Sequence, residues 1–193
     1  MRLLRACVAT SVSSALLTGV AGAQASVRST VNALPAVSAA IAGSVAISIG
    51  SGSIQALGNV TENAANNFPS PVSITLTWDL HPSTGAVQVI GYFTDPTAAM
   101  TSGPVSIPSS WIKGRVLTPG AVGAPTTFTA FTQNGVGGVG APGASLSLFT
   151  QPVLGYSKSG AQTIDLELQL DLVGRAISAG AYSGTLNIRA VTQ

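Results

Sequence analysis

Two segments of the chain alternate strictly between apolar and polar residues. The first runs from Val72 to Leu80 and the second from Ile164 to Leu172. A period of two places the apolar side chains on one face of a β-strand, whereas a helix would spread the intervening charges around its axis. Both segments are therefore predicted to be strands with one buried and one solvated face, and Trp78 is predicted to belong to the core.

Six further segments predict strands of the same kind. They are rich in β-branched and aromatic residues and are separated by turns that contain proline and glycine. Short alternating strands without a sustained helical period are typical of an all-β, antiparallel two-sheet sandwich, immunoglobulin-like or pilin-like, with about eight strands. The six segments are Ser44–Ile49, Ala86–Phe93, Trp111–Leu117, Thr126–Thr132, Ser145–Thr150 and Tyr182–Val191.

The start of the chain has the pattern of a secretory signal peptide. Arg2 and Arg5 precede an apolar stretch that ends near Val20, and small residues at 21–23 and 23–25 offer cleavage positions. The sequence thus predicts a signal peptide at residues 1–25, an N-terminal arm at 26–40 and a β-sandwich domain at 41–193. We expect the product to be secreted to the periplasm, the cell surface or the medium, without a transmembrane anchor.

Charge is scarce in this chain. Charged residues make up 7%, and loss of Arg2 and Arg5 would leave six basic and six acidic residues. The basic pI therefore comes largely from the predicted signal peptide, so it does not indicate a nucleic-acid partner. The single cysteine, Cys7, lies in the same segment, and the remaining chain has no thiol for a disulfide or a zinc site. Its stability must come from the apolar core.

Two patterns suggest cofactor binding or hydrolysis. Gly135–Gly140 matches the dinucleotide-binding pattern, but another strand follows it where a helix would be needed to bind the pyrophosphate. His81 is the only histidine and comes two residues after Asp79, in a segment that reads as the end of a strand. Neither a serine nucleophile elbow nor further histidines for a metal centre accompany it. We expect no catalytic residue, no cofactor and no metal at these positions.

A row of acids on the second alternating segment suggests a glycosidase pair or a calcium site. Asp165, Glu167 and Asp171 share one strand face. Acids that alternate with leucines are also typical of the solvated face of a strand, and inward charges protect a sheet edge. We favour that structural interpretation.

Trp111 and Tyr156 are the candidate ligand contacts. Trp111 follows Pro108, Ser109 and Ser110 at the start of a predicted strand, where an exposed ring would stack on a sugar. An extracellular carbohydrate-binding module that uses Trp111 or Tyr156 is therefore the alternative function, with glycans as the partner.

The segment from Ser178 to Val191 has a small-Gly-x-Tyr turn, Ala179 to Tyr182, that leads into a final alternating strand. This segment resembles the last hairpin of secreted bacterial pilin-like domains of the spore-coat-U type. The resemblance implies a structural subunit or adhesin that assembles by strand exchange between neighbours. We accordingly expect a secreted, non-enzymatic structural or adhesive protein of a surface fibre or coat, whose partners are itself or other surface proteins.

Overall fold

The chain folds into two packed β-sheets. The computed structural model describes residues 24–31, 44–80, 85–118, 121–154 and 158–193, and for 24–31 it describes the backbone alone. Within these ranges the only helix is a single 3₁₀ turn, Ser109–Trp111. The predicted all-β, two-sheet sandwich is confirmed. Residues 1–23 and 32–43, which hold most of the predicted signal peptide and arm, lie outside the described residues.

All eight predicted strands are present, but the expected number was too low. The described residues form thirteen strands, and four of the five additional ones are only three residues long. The predicted strand at Thr126–Thr132 shortens to two residues. The strands are β1 Gln24–Val31, β2 Ser44–Ile49, β3 Ile54–Ala56, β4 Ala65–Asn67, β5 Val72–Asp79, β6 Ala86–Tyr92, β7 Met100–Ser102, β8 Val105–Ile107, β9 Ile112–Val116, β10 Thr129–Ala130, β11 Ser145–Pro152, β12 Ser159–Asp171 and β13 Ala181–Thr192.

Each sheet is built around one long strand. In the described part of the chain, sheet A has the order β11-β6-β13-β1-β3, with β7 and β8 attached beside β13. Sheet B has the order β10-β9-β12-β5-β2, with β4 attached to β12. All pairs are antiparallel except β1 with β13, which run parallel from Gln24 beside Ala181 to Val31 beside Ile188.

The core lies between the inner faces of the two sheets. The alternating apolar residues of β5 and β12 are almost fully buried there, together with Tyr182, Leu186 and Ile188 of β13. Trp78 is buried as predicted, and the rings of Phe93 and Phe131 meet edge to face at a centroid distance of 5.2 Å. Because one face of each strand is apolar, burial of these side chains also fixes the strand register.

The N-terminal segment is not only an arm. Residues 24–31 form β1, which lies inside sheet A between β13 and β3. Ser26, Val27 and Arg28 also pair with β3, so β1 has a hydrogen-bonded neighbour on both sides. The predicted boundary after Ala25 would cut β1 two residues from its start.

Gly184 marks a point where sheet A admits no side chain. A Cβ atom placed there would overlap the carbonyl oxygen of Ala99 and lie 2.9 Å from Cγ of Met100. In the pairing of β1 with β13, Val27 lies beside Gly184. The close approach of the segment before β7 to β13 therefore requires glycine at this position.

We predict that Gly184→Ala lowers the free energy of unfolding by about 1–3 kcal/mol, because the backbone must shift to admit the methyl group. Gly50→Ala is the matched control, since a Cβ there meets only ordinary contacts, the nearest at 3.7 Å. Urea unfolding of both variants measures the difference. Equal stability of the two variants would contradict the packing described here.

Candidate interaction surfaces

Two of the three acids of β12 form ion pairs with the basic residues of β9 on the outer face of sheet B. Arg115 lies beside Glu167 in the register, and its Nε donates to Oε2 of Glu167 at 2.6 Å. Lys113 Nζ lies 2.7 Å from Oδ2 of Asp171. These acids and bases neutralise one another across neighbouring strands, which is the structural interpretation of the acidic row.

Asp171 is the centre of this network. Its Oδ1 accepts a hydrogen bond from the backbone N–H of Val173 at 3.1 Å, and Arg175 donates to its backbone carbonyl at 2.7 Å. The hydrogen bond from Lys113, followed by that from Val173, lowers the pKa of Asp171. A general acid of a glycosidase needs a raised pKa, so the lowered pKa of Asp171 favours a structural role for its carboxylate.

Trp111 lies at the end of the 3₁₀ turn, half-buried against the core. The guanidinium carbon of Arg175 lies 4.8 Å from the centroid of its ring, within the range of a cation–π contact. Arg115 covers the ring of Phe128 in the same way, at 4.6 Å. One face of the Trp111 ring is therefore occupied by a side chain of the same molecule, and a sugar could stack on that face only by displacing Arg175.

The other sequence candidates are placed as follows. Asp79 is exposed at the end of β5, beside Ser159 and Ser44 in the register. His81 and Tyr156 lie outside the described residues. The part of the chain that is described contains no group of three or more His, Cys, Asp or Glu side chains able to hold a metal ion.

The glycine-rich segment Gly135–Gly140 forms a tight hairpin beside sheet A. Val136 and Val139 exchange backbone hydrogen bonds of 2.9 and 3.0 Å. A Cβ on Gly137 would lie 2.7 Å from Val191, which shows that the hairpin backbone lies against the outer face of the sheet. Ile90 of β6 is buried but is not part of the main core. It lies on the outer face of sheet A, which this hairpin covers. The segment therefore packs on the sheet and leads into strand β11, where a dinucleotide fold would place a helix.

The same region closes the free edge of β11. The N–H of Ser145 donates to the backbone carbonyl of Gln133 at 3.1 Å, and the N–H of Ser147 donates to its side-chain oxygen at 2.7 Å. Further along, the N–H of Thr150 donates to the carbonyl of Val122 at 2.8 Å. These outward donors of β11 are thus occupied within the molecule, which blocks pairing with another chain at this edge.

The contacts of Arg175 and Gln133 were not predicted from the sequence. Both residues act across long stretches of chain, Arg175 on Trp111 and Gln133 on β11. Neither lies in an alternating segment, so no periodic signal marks it. Lys113 and Arg115 do alternate on a predicted strand. Their ion pairs with the acidic row could therefore have been predicted from the sequence.

Comparison with known proteins places this chain in no family. No protein-family model matches it, and no curated protein matches it significantly. Among the described residues, no helix is long and apolar enough to cross a membrane.

We predict that Asp171→Asn lowers the free energy of unfolding at pH 7 by about 1–2 kcal/mol, because two charge-assisted contacts weaken. The lowered pKa of Asp171 means that its stabilisation is present above the unfolded pKa, near 4, and is lost as the pH falls through the folded pKa. The difference from the wild type should therefore shrink below about pH 4. Urea unfolding at pH 7 and pH 3 measures it.

Asp165→Asn is the control for this prediction, since the carboxylate of Asp165 takes part in none of the three ion pairs of the described residues. It should change stability much less than Asp171→Asn at pH 7. A pH-independent difference between Asp171→Asn and the wild type would contradict the role given to the charge.

Proposed function

We propose that this chain is a secreted, non-enzymatic structural or adhesive protein that associates with itself at a surface. The observation that carries the proposal is the position of β1 inside sheet A. A strand at the N-terminal end of the described residues fills the space between β13 and β3 and pairs with both. Such a strand can be supplied by the same chain or by a neighbouring copy.

The first half of β13 depends on β1 for its backbone pairing. Along Ala181–Leu186, β1 provides a continuous ladder on one side, whereas β7 pairs on the other side through Ser183 alone. The second half of β13 pairs with β6 from Asn187 onwards. Without β1, buried residues such as Tyr182 and Leu186 would belong to a poorly paired strand, so sheet A needs a strand at this place.

The connection from β1 allows exchange between copies. Residues 32–43 join β1 in sheet A to β2 in sheet B. Twelve residues can span up to about 40 Å when extended. The donated strand would make the same backbone pairs in a neighbour as in its own chain, so exchange costs little beyond chain entropy. Repeated head-to-tail exchange would produce a fibre.

A secreted form of the protein should begin at Gln24. Cleavage after Ala23 leaves all of β1 intact, whereas cleavage after Ala25 removes the residues that pair with Ala181 and Tyr182. An N-terminal glutamine also cyclises to pyroglutamate with loss of ammonia. Intact mass of the exported protein checks this prediction, and Ala23→Arg is the control that should block processing. A mature chain that starts after Ala25 would contradict it.

We predict that deletion of Ser26–Ala40 abolishes polymers, because the deleted chain can no longer pass β1 to a neighbour. Light scattering over a concentration series measures the mass of both forms. A synthetic peptide of residues 24–31 should bind the deleted chain and restore the melting temperature of the intact protein. The same peptide with Val27→Pro is the control, since proline interrupts the ladder with β3 and β13.

Polymers that survive the deletion would contradict strand exchange. A compact monomer in both forms would contradict self-association altogether and would favour the alternative, a glycan-binding module at Trp111. In that case Trp111→Ala would remove glycan affinity.

A further inference from the structure

The outer edge of β2 is an open strand edge. Gly50 donates to the carbonyl of Ser73 at 2.9 Å, so in this antiparallel ladder the even-numbered residues of β2 bond to β5. The backbone N–H and C=O groups of Val45, Ile47 and Ile49 then point away from β5. Within the described residues, sheet B ends at β2 and no further strand takes up these groups.

The terminal strands other than β2 are, in the described chain, protected or very short, and the first half of β12, Ser159–Ile164, lies inside sheet B but pairs with β5 alone. The edge of β11 is occupied by Gln133 and Val122, and β11 contains a bulge between Ser147 and Phe149. Strand β10 has two residues and β3 has three. By contrast, β2 has six residues and contains no charge, proline or bulge. Natural sheets use such features to prevent edge pairing, and β2 carries none of them.

We infer that β2 pairs with β2 of a second copy in an antiparallel, two-fold arrangement, which joins the two copies of sheet B into one sheet. This inference deepens the proposed function, on which it rests, by naming a second contact through which copies associate. It does not involve β1, which lies in the other sheet.

The backbone fixes the register of this contact. Only the odd-numbered residues offer N–H and C=O groups at the edge, so they must face one another in the hydrogen-bonded pairs. A two-fold axis at Ile47 satisfies this condition, with Ile47 opposite Ile47 and Val45 opposite Ile49. Ala46 of one copy then lies opposite Ser48 of the other.

The side chains of β2 suit a second copy on both faces. Ile47 is 8% exposed, and Val45 and Ile49 are partly buried against the core, so the same residues of a neighbour would extend that core. Ala46 and Ser48 are small and exposed on the outer face, beside Thr77 and Thr75 of β5. Because β2 carries no charge, pairing of two copies of β2 brings no like charges together. A charged strand of a different protein would find no counter-charge on β2.

The test places matched charges on the outer face of β2. In the inferred register, the double variant Ala46→Lys/Ser48→Lys brings lysines opposite each other in two places across the axis. The variant Ala46→Glu/Ser48→Glu does the same with glutamates. We expect each variant alone to raise the dimer dissociation constant at least about tenfold, and an equimolar mixture to restore association through Lys–Glu pairs. Analytical ultracentrifugation measures all three samples.

Ala161→Lys/Thr163→Lys is the matched control. It adds the same two charges at the same spacing and on the same face of sheet B, but on a stretch of β12 that pairs with β5 and is separated from β2 by that strand. The control should associate like the wild type, and circular dichroism should show that all variants are folded.

Three outcomes overturn the inference. Association that is unchanged by either charged variant would exclude the β2 edge while leaving strand exchange by β1 in place, which the deletion of Ser26–Ala40 tests separately. Failure of the mixture to recover would exclude the stated register. A wild-type protein that is monomeric at all concentrations would exclude β2 pairing together with the proposed function.

Discussion

Backbone pairing of β13 by β1 is the interaction on which sheet A depends. Strand β13 carries the buried residues Tyr182, Leu186 and Ile188, and its first half has a continuous neighbour only in β1. Because buried backbone groups must be hydrogen-bonded, these side chains can be held in the core only if a strand occupies the position of β1. The fold thus places a structural requirement on the N-terminal end of the chain.

The surface of the protein has few charged side chains with which to protect the edges of the sheets. The ion pairs of Lys113 with Asp171 and of Arg115 with Glu167 lie on one strand pair, and arginines cover Trp111 and Phe128 nearby. Hydroxyl side chains also lie on the outer face of sheet B, where the Oγ1 atoms of Thr75 and Thr163 are 2.9 Å apart. An edge strand without charge, such as β2, is therefore a consequence of composition as well as the surface through which we infer that copies associate.

The strands that alternate over five or more residues could be predicted from the sequence because each has one buried face. β3, β4, β7 and β8 are too short to show a period of two. β1 nearly shows a period of two. Ala25, Val27 and Val31 are apolar residues in alternate positions, but the polar Ser29 lies between Val27 and Val31 in that series.

The candidate site was less predictable than the strands. Arg175 and Trp111 are far apart in the sequence, and Gln133 is a loop residue that contacts Ser147, 14 residues further on. Local patterns carry no signal for either contact. The glycine-rich hairpin matched a nucleotide motif only because tight turns and phosphate loops both need residues without a Cβ. The positive φ angles of Gly137 and Gly138 serve the turn.

The most direct test of the account is amide hydrogen exchange along β13. If β1 completes sheet A, the amides of Ala181–Leu186 should exchange as slowly as those of Leu166–Leu170 in β12, which have β9 on one side and β5 and β4 on the other. Rapid exchange in Ala181–Leu186 alongside slow exchange in Asn187–Thr192, which pairs with β6, would contradict the account, because it would show that no strand occupies the position of β1.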